Sequence, residues 1–114
     1  MGDGGAVMGV SGKGARNKGL NFERKIVKDL KPIYPNASRQ LEFQDIEARG
    51  VDLKGTGCLA IQCKVRKSRH VPLSTIEEIK ALPHEVPVLI SKVDRGDTLC
   101  ALKWEDFLKM LEQL

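Results

Sequence analysis

The sequence predicts an α/β or α+β fold in which a central mixed sheet of about five strands is flanked by helices. A chain of 114 residues is long enough for one domain with one modest core, and no internal repeat divides it. The hydrophobic pattern alternates between a helical and a strand period, in the order helix, three strands, helix, two strands, helix. A sheet covered by helices is the arrangement that buries such faces.

A glycine-rich segment precedes the first helix. Residues 1–18 are nearly free of large apolar side chains, so we expect a flexible basic arm, or a leader without a role, before one domain at 19–114. Asn21 offers an N-cap, and apolar side chains at helical spacing predict a helix to about Leu30. Pro32 is expected to end that helix.

Three strands are predicted next. Residues 37–43 and 48–53 are expected to form the first two, and the glycines within 54–57 predict a tight turn after them. Residues 59–66 give the clearest strand of the chain, because large apolar side chains alternate there with small or polar ones at a period of two.

The second half of the chain predicts a helix, a hairpin and a closing helix. A capping-box pattern opens a helix over about 74–82, and residues 86–93 and 98–102 are expected to pair across a turn. A closing helix over 104–114 has its apolar side chains on one side, which we expect to pack onto the sheet or to form a dimer surface.

The net charge of +4 conceals an asymmetry along the chain. Residues 1–69 carry 14 Lys and Arg against 7 Asp and Glu, whereas residues 70–114 carry 5 against 8. A localised basic surface attracts polyanions such as nucleic acid, with an affinity that falls as salt rises. A solvated, lysine-rich surface without a partner is the alternative interpretation of a pI of about 9.1.

Composition also excludes several classes of protein. No apolar run approaches the ~20 residues of a membrane-spanning helix, and the N-terminus has no apolar stretch like that of a secretory signal. The three cysteines are too few for a disulfide scaffold, and with the two histidines they fit no zinc-binding spacing. We therefore expect a cytoplasmic protein without a membrane partner, associated with the nucleoid or, if virus-encoded, located in the host cytoplasm.

Three residues are the candidates for chemistry. Gln62 and Lys64 are two apart on a strand and share a face, and a hairpin through 54–57 would bring Asp52 beside them. The Asp52 carboxylate, the Gln62 amide oxygen and the backbone carbonyl of Cys63 are hard oxygen ligands suited to Mg2+. Lys64 could orient a water or stabilise the transition state of phosphodiester hydrolysis. An ordinary turn and a solvent-facing strand would show the same residues.

These residues lie within a longer pattern. The run NKGLNFERKIV at 17–27, ASRQ at 37–40, GVDL at 50–53 and AIQCK at 60–64 resembles the PD-(D/E)XK nucleases. Within that superfamily the chain looks most like the archaeal-type Holliday junction resolvases, which some viruses also carry. The resemblance covers about residues 17–114. It implies a restriction-endonuclease-like core, a Mg2+ cofactor for which Mn2+ substitutes, and a homodimer that cuts four-way DNA junctions.

The resemblance also implies roles for individual residues. Glu23 matches the family's acid on the first helix, Asp52 its metal-binding Asp, and Lys64 its catalytic Lys. Arg39 falls where the family often has a basic residue near the scissile phosphate, which a guanidinium would clamp bidentately. Ser38 lies in the same stretch and is a further candidate.

One position departs from the family pattern. Gln62 stands where the family usually has a second acid, which leaves the site one negative charge short. Glu42, Asp45 or Glu47 could supply that charge, although each is equally an ordinary loop acid. Two alternatives therefore stay open beside a junction resolvase. One is a restriction- or repair-type nuclease of the same fold, and the other is a catalytically silent DNA-binding module.

The expected DNA contacts are basic or hydroxylated side chains that would read backbone shape and charge rather than base sequence. They are Lys13, Arg16, Lys18, Ser38, Arg39, Arg66, Lys67 and Arg69.

Overall fold

The computed structural model describes residues 7–41, 49–67 and 73–114, with the backbone alone for 7–13 and 15. Within these ranges the elements are, in chain order, α1 (Val7–Leu30), β1 (Ser38–Arg39), β2 (Leu53–Lys54), β3 (Leu59–Arg66), α2 (Leu73–Glu77), β4 (Val86–Val93), β5 (Thr98–Ala101) and α3 (Trp104–Leu111).

The described strands form two sheets. β1 and β2 pair antiparallel, while β3, β4 and β5 form a mixed sheet in which β3 is parallel to β4 and β4 is antiparallel to β5. The α+β class is confirmed, but the strands are divided between two sheets and do not form one sheet of five. Asp52, just before β2, offers its carboxylate to the Cys63 amide of β3, and this side-chain contact interrupts a regular ladder between the two sheets.

The helix α1 covers one face of the mixed sheet. Phe22 and Ile26, one turn apart on α1, belong to the same buried cluster as Ile61, Cys63 and Val88 from alternating positions of β3 and β4. Full burial of a Phe or Ile side chain contributes about 1.5–3 kcal/mol. Tertiary packing therefore anchors the C-terminal half of α1.

The opposite face of the mixed sheet is also buried. Ala60 and Leu89 point away from Ile61 and Val88, because adjacent strand residues alternate between faces, and both have 0% exposure. Ile76 of α2 is buried as well, and α2 contacts β4. The mixed sheet thus lies between α1 and the region of α2.

The helix α1 begins well before the predicted N-cap. It runs from Val7 to Leu30, so Asn21 lies inside the helix and residues 7–18 of the predicted arm are helical. Each glycine in a helix interior costs about 1 kcal/mol relative to Ala, which is why the composition favoured an arm. Extension of an existing helix needs no new nucleus, so the packed C-terminal half can propagate through the glycines. Residues 1–6 lie outside the described residues.

Three elements are shorter than predicted. β1 and β2 have two residues each, and positions 42–48, where the two predicted strands meet, lie outside the described residues. α2 ends at Glu77, short of the predicted end near residue 82. The amides of Glu78 and Ile79 still donate back into α2, and the Lys80 amide then donates to the Arg49 carbonyl at 2.8 Å. A long-range contact therefore replaces the next helical turn.

The strand pattern of the mixed sheet is confirmed. β3 and β4 have the predicted bounds, and β5 ends at Ala101, one residue early. The glycine turn before β3 is confirmed too, since Gly55 and Gly57 have φ values of 72° and 62°. A Cβ at Gly55 would lie 2.2 Å from the Asn36 carbonyl oxygen, so this position requires glycine.

The apolar side of α3 is exposed, which contradicts the expectation that it packs onto the sheet. Trp104 is 65% exposed, and Phe107, Leu108 and Leu111 are between 39% and 43% exposed. The Trp104 and Phe107 rings contact each other, with centroids 5.9 Å apart. Because α1 and the α2 region already occupy the two faces of the mixed sheet, neither face is left for α3. No helix of the described residues has the length and hydropathy to cross a membrane.

Candidate active site

The carboxylate of Asp52 is held against the middle of β3. The Asp52 amide donates to the Ile61 carbonyl at 2.8 Å, and Asp52 Oδ2 accepts from the Cys63 amide at 2.7 Å. The Asp52 carbonyl accepts from the Gln40 amide on the other side, at 2.7 Å. A carboxylate–amide hydrogen bond this short is charge-assisted and roughly twice as strong as a neutral one. Asp52 is thus held between the backbone of Gln40 on one side and the backbone of β3 on the other. The predicted turn through Gly55 brings Asp52 to β3 in this way.

Glu23 approaches the same region from α1. It follows the core residue Phe22, and its Oε1 accepts from Arg39 Nε at 3.1 Å. The side chains of Glu23 and Arg39 are 19% and 24% exposed, so this ion pair is largely removed from water. Arg39 lies in β1, opposite Leu53 of β2 in the register of the small sheet. The Glu23–Arg39 pair therefore ties α1 to the sheet that carries Asp52.

Two negative charges act on one buried thiol. Burial raises the pKa of Cys63 well above its usual range, and the carboxylates of Asp52 and then Glu23 raise it further. Asp52 is placed at this point of β3 by its bond to the Cys63 amide, and Glu23 follows Phe22, which packs in the same cluster as Cys63.

Gln62 occupies the other side of β3. Cys63 packs in the cluster under α1, so its neighbour Gln62 points to the α2 side, where it is 8% exposed. Its Nε2 lies 3.5 Å from where a Cβ at Gly50 would be, and its Oε1 is buried with no hydrogen-bond partner among the described residues. A buried amide oxygen without a donor is costly by about 1–3 kcal/mol. Within the described part of the chain, the Gln62 side-chain oxygen is thus an acceptor without a donor.

Lys64 shares the side of β3 with Gln62 and is exposed. Within the part of the chain that the structure describes, it makes no recorded hydrogen bond or ion pair. The side chains of Asp52, Gln62 and Lys64 therefore do not converge as predicted. The Asp52 carboxylate accepts from the main-chain amide of Cys63, beside the Cys63 thiol. The side chains of Gln62 and Lys64 leave β3 from the opposite side. The alternation of strand residues is the physical reason.

The predicted DNA contacts of β1 and β3 have different surroundings. Arg66 Nη2 donates to Thr75 Oγ1 at 3.0 Å, while Arg66 Nε is buried and has no hydrogen-bond partner in the ranges that the structure describes. Lys67 is exposed and Ser38 is half-buried. The sequence did not indicate Thr75 as a partner of Arg66, because their contact depends on how the chain folds between β3 and α2.

The predicted DNA contacts of the first helix are partly described. Arg16 and Lys18 are exposed on α1, and Lys18 Nζ donates to Asp94 Oδ2 at 3.0 Å. The Lys13 side chain and Arg69 lie outside the described residues. The loop acids considered as substitutes for the missing charge lie outside them too; these are Glu42, Asp45 and Glu47.

The arrangement suits a cation that needs few protein ligands. No group of three or more His, Cys, Asp or Glu side chains converges within the described ranges. Glu23 and Asp52 are both part-buried carboxylates, Glu23 in its ion pair with Arg39 and Asp52 at the Cys63 amide. Mg2+ typically binds through one or two carboxylates and keeps several waters or substrate phosphates. The donor set therefore fits Mg2+ better than a metal that needs a full protein cage.

The chain was compared with protein families, curated proteins and solved structures. No protein-family model, no curated protein and no solved structure matches the chain.

Proposed function

We propose that the chain is a metal-dependent, structure-selective endonuclease that hydrolyses phosphodiester bonds in branched DNA, with the four-way junction as its leading substrate. One observation carries the proposal: the Asp52 carboxylate is held at the middle of β3 by the Cys63 amide at 2.7 Å, and Glu23 extends from the turn of α1 that packs in the same cluster as Cys63. The resemblance of these segments to the PD-(D/E)XK pattern supports the same function. So does the element order of α1 to β4, which is compatible with a restriction-endonuclease-like core.

The residues that would hold Mg2+ are Glu23 and Asp52, with a neutral oxygen from the backbone carbonyl of Cys63. The Gln62 side chain leaves β3 from the opposite side. When bound, the ion lowers the pKa of a water and neutralises charge on the scissile phosphate. Mn2+ would accept the same oxygen ligands.

Arg39 has two roles in the proposal. Its Nε bonds Glu23 at 3.1 Å and keeps that carboxylate oriented. Its terminal nitrogens have no recorded partner among the described residues, so they are available to clamp a phosphate in a bidentate manner. Lys64, exposed and without a recorded partner in the same ranges, would place its ammonium near the charge that develops in the transition state.

A homodimer is part of the proposal. One chain contributes one set of site residues, so symmetric cutting of two strands requires two chains related by a two-fold axis. The exposed apolar side of α3, with Trp104 and Phe107 at its centre, is a surface that a second copy could cover.

A catalytically silent DNA-binding module is the second candidate function. Gln62 favours it, because this residue is neutral and its side chain is buried on the side of β3 away from the Cys63 thiol. In that case the basic surface would bind DNA while the two carboxylates have no catalytic use.

Cleavage of labelled synthetic DNA separates these functions. The purified chain is incubated with a four-way junction and with linear duplex, with Mg2+, with Mn2+ and with a chelator. Symmetric, metal-dependent cuts in the junction alone support a resolvase. Equal cutting of linear duplex indicates a restriction- or repair-type nuclease. Tight binding with no cleavage in either metal supports the silent module and contradicts both enzymatic functions.

Isosteric substitutions test the site itself. Asp52→Asn keeps an oxygen that can accept from the Cys63 amide, so it removes the charge with little change in fold. We expect this variant and Lys64→Ala to lose cleavage while retaining junction binding. Asp29→Asn is the matched control, since Asp29 is an exposed acid on α1 paired with Lys25. Cleavage by Asp52→Asn at the wild-type rate would disprove the assigned site.

A further inference from the structure

A basic cleft lies beside the candidate active site, between α1 and the C-terminal ends of β3 and β4. Its volume is about 360 Å3, and its charged lining consists of Lys18, Lys25, Lys92 and Asp94. Phe22 and Val65 also line it. That volume is at the small end of the range for ligand-binding pockets, which suits part of an extended ligand.

Positive charge dominates this cleft, with three lysines against one acid. Lys18 is paired with Asp94 and Lys25 with Asp29, each at 3.0 Å, and all four side chains are about half exposed. Lys92 differs from the other two lysines. It is half-buried and makes no recorded hydrogen bond or ion pair with another described residue. An ammonium that is partly removed from water without a counter-charge is unfavourable, and a bound anion would relieve that cost.

The register of the sheet places this cleft next to the carboxylates. Val65 lies two residues beyond Cys63 on the same face of β3, and Lys92 is the partner of Val65 on β4. Two residues of a strand span about 7 Å. Phosphates of one DNA strand follow every ~3.4 Å along the helix axis and are farther apart along the backbone itself, so one or two nucleotides cover that distance. A strand with one phosphate at Asp52 can therefore reach Lys92 with another.

We propose that this cleft binds the backbone phosphates of the DNA strand about one or two nucleotides from the scissile phosphate, with Lys92 as the direct contact. The inference rests on the proposed function. It adds a contact on β4 that neither the basic run after β3 nor the glycine-rich helix supplies.

Charge-selective variants of Lys92 test the cleft. Junction binding is measured by fluorescence anisotropy in chelator, at several salt concentrations, for Lys92→Gln and Lys92→Arg. Lys80→Gln, an exposed lysine after α2, is the control for net charge. We expect Lys92→Gln to weaken binding about three- to fivefold and to lower the salt slope by about 0.9, the effect of one phosphate contact. Lys92→Arg and Lys80→Gln should bind like wild type.

The outcomes distinguish this inference from the proposed function. If wild type binds and cuts the junction but Lys92→Gln has the wild-type affinity and salt slope, the cleft is not a phosphate site and the nuclease proposal stands. If wild type binds no DNA, both proposals fail. Thermal unfolding checks that Lys92→Gln is folded; removal of an unpaired charge should leave its Tm unchanged or higher.

A measurement on the wild-type chain is independent of any variant. Amide NMR shifts are followed during titration with a five-nucleotide DNA strand, and separately with inorganic phosphate at the same phosphate concentration. We expect the Val65 and Lys92 amides to shift with the oligonucleotide at lower concentration than with phosphate. Shifts confined to other parts of the chain, or equal shifts with both ligands, would overturn a DNA-strand site.

Discussion

The Glu23–Arg39 ion pair allows a quantitative test of how the site is organised before any cation binds. The perturbation is a double-mutant cycle with Glu23→Gln, Arg39→Ala and both together. At the observed 3.1 Å, the Coulomb energy is about 1.3 kcal/mol in bulk water and about 5 kcal/mol at an effective dielectric of about 20. The side chains are 19% and 24% exposed, so desolvation offsets much of the larger figure. We expect a coupling free energy of about 1.5 kcal/mol.

A second ion pair on α1, with nearly the same N–O distance, serves as the control. Lys25 and Asp29 are joined at 3.0 Å, but their side chains are 54% and 57% exposed. Pairs four residues apart on a helix surface contribute about 0.3–0.5 kcal/mol. The N–O distance is nearly the same in the two pairs, whereas burial differs, and only the Glu23–Arg39 pair joins α1 to β1.

Urea unfolding followed by circular dichroism gives both coupling energies, provided that the m-values of all variants agree. Repeating the measurement in 1 M NaCl should abolish the Lys25–Asp29 coupling and leave most of the Glu23–Arg39 coupling, because salt screens exposed pairs more strongly. Equal coupling energies for the two pairs, or equal loss in salt, would refute the argument that Arg39 is a structural partner of Glu23.

Three further predictions use other parts of the molecule. At pH 8, iodoacetamide should modify Cys58 rapidly and Cys63 slowly, as peptide mapping can show, because burial and nearby carboxylates raise the pKa of Cys63 and leave little thiolate. For the same reason stability should fall as pH rises above about 8.5, where the unfolded thiol ionises and the folded one stays protonated; a Cys63→Ala variant should lack this part of the pH dependence. Phe107→Glu should leave the monomer folded and shift any dimer seen by sedimentation towards monomer; an unchanged dimer would exclude the α3 face. Gly55→Ala should lower the free energy of unfolding by more than about 2 kcal/mol, whereas Gly19→Ala, with open space around it on α1, should raise it by up to about 1 kcal/mol; similar effects at the two sites would contradict the strained turn.

The local hydrophobic pattern was sufficient to predict the bounds of an element where one of its faces is buried and the other is not. β3 and β4 have the bounds that periodicity and flanking turns predicted, and Gly55 marks a turn that no other residue could adopt without a shift. The start of α1 could not be predicted in the same way. Its glycines lower the intrinsic propensity, and the energy that fixes the helix comes from Phe22 and Ile26, whose partners are distant in sequence.

The sequence predicted which residues lie near the candidate site better than it predicted how their side chains are arranged there. The turn through Gly55 correctly places Asp52 beside β3, but sequence could not show that its carboxylate takes a main-chain amide. That contact depends on which side of β3 packs against α1, and the packing in turn leaves Gln62 on the opposite side. The exposure of α3 was equally hidden, because an amphipathic helix has the same pattern whether its partner is this chain or another.

The hydrogen bond from the Cys63 amide to Asp52 gives this protein a built-in spectroscopic reporter. In a regular ladder the acceptor of a strand amide is a carbonyl with no other role, whereas here it is a carboxylate oxygen assigned to cation binding. Any ligand that withdraws electron density from Asp52, or turns it away, must change the chemical shift and the hydrogen-exchange rate of one backbone N–H. The chain has three cysteines, so selective 15N-cysteine labelling would yield a spectrum of three backbone amides, with Cys58 and Cys100 as internal references. Occupancy of the site could then be followed without DNA and without turnover.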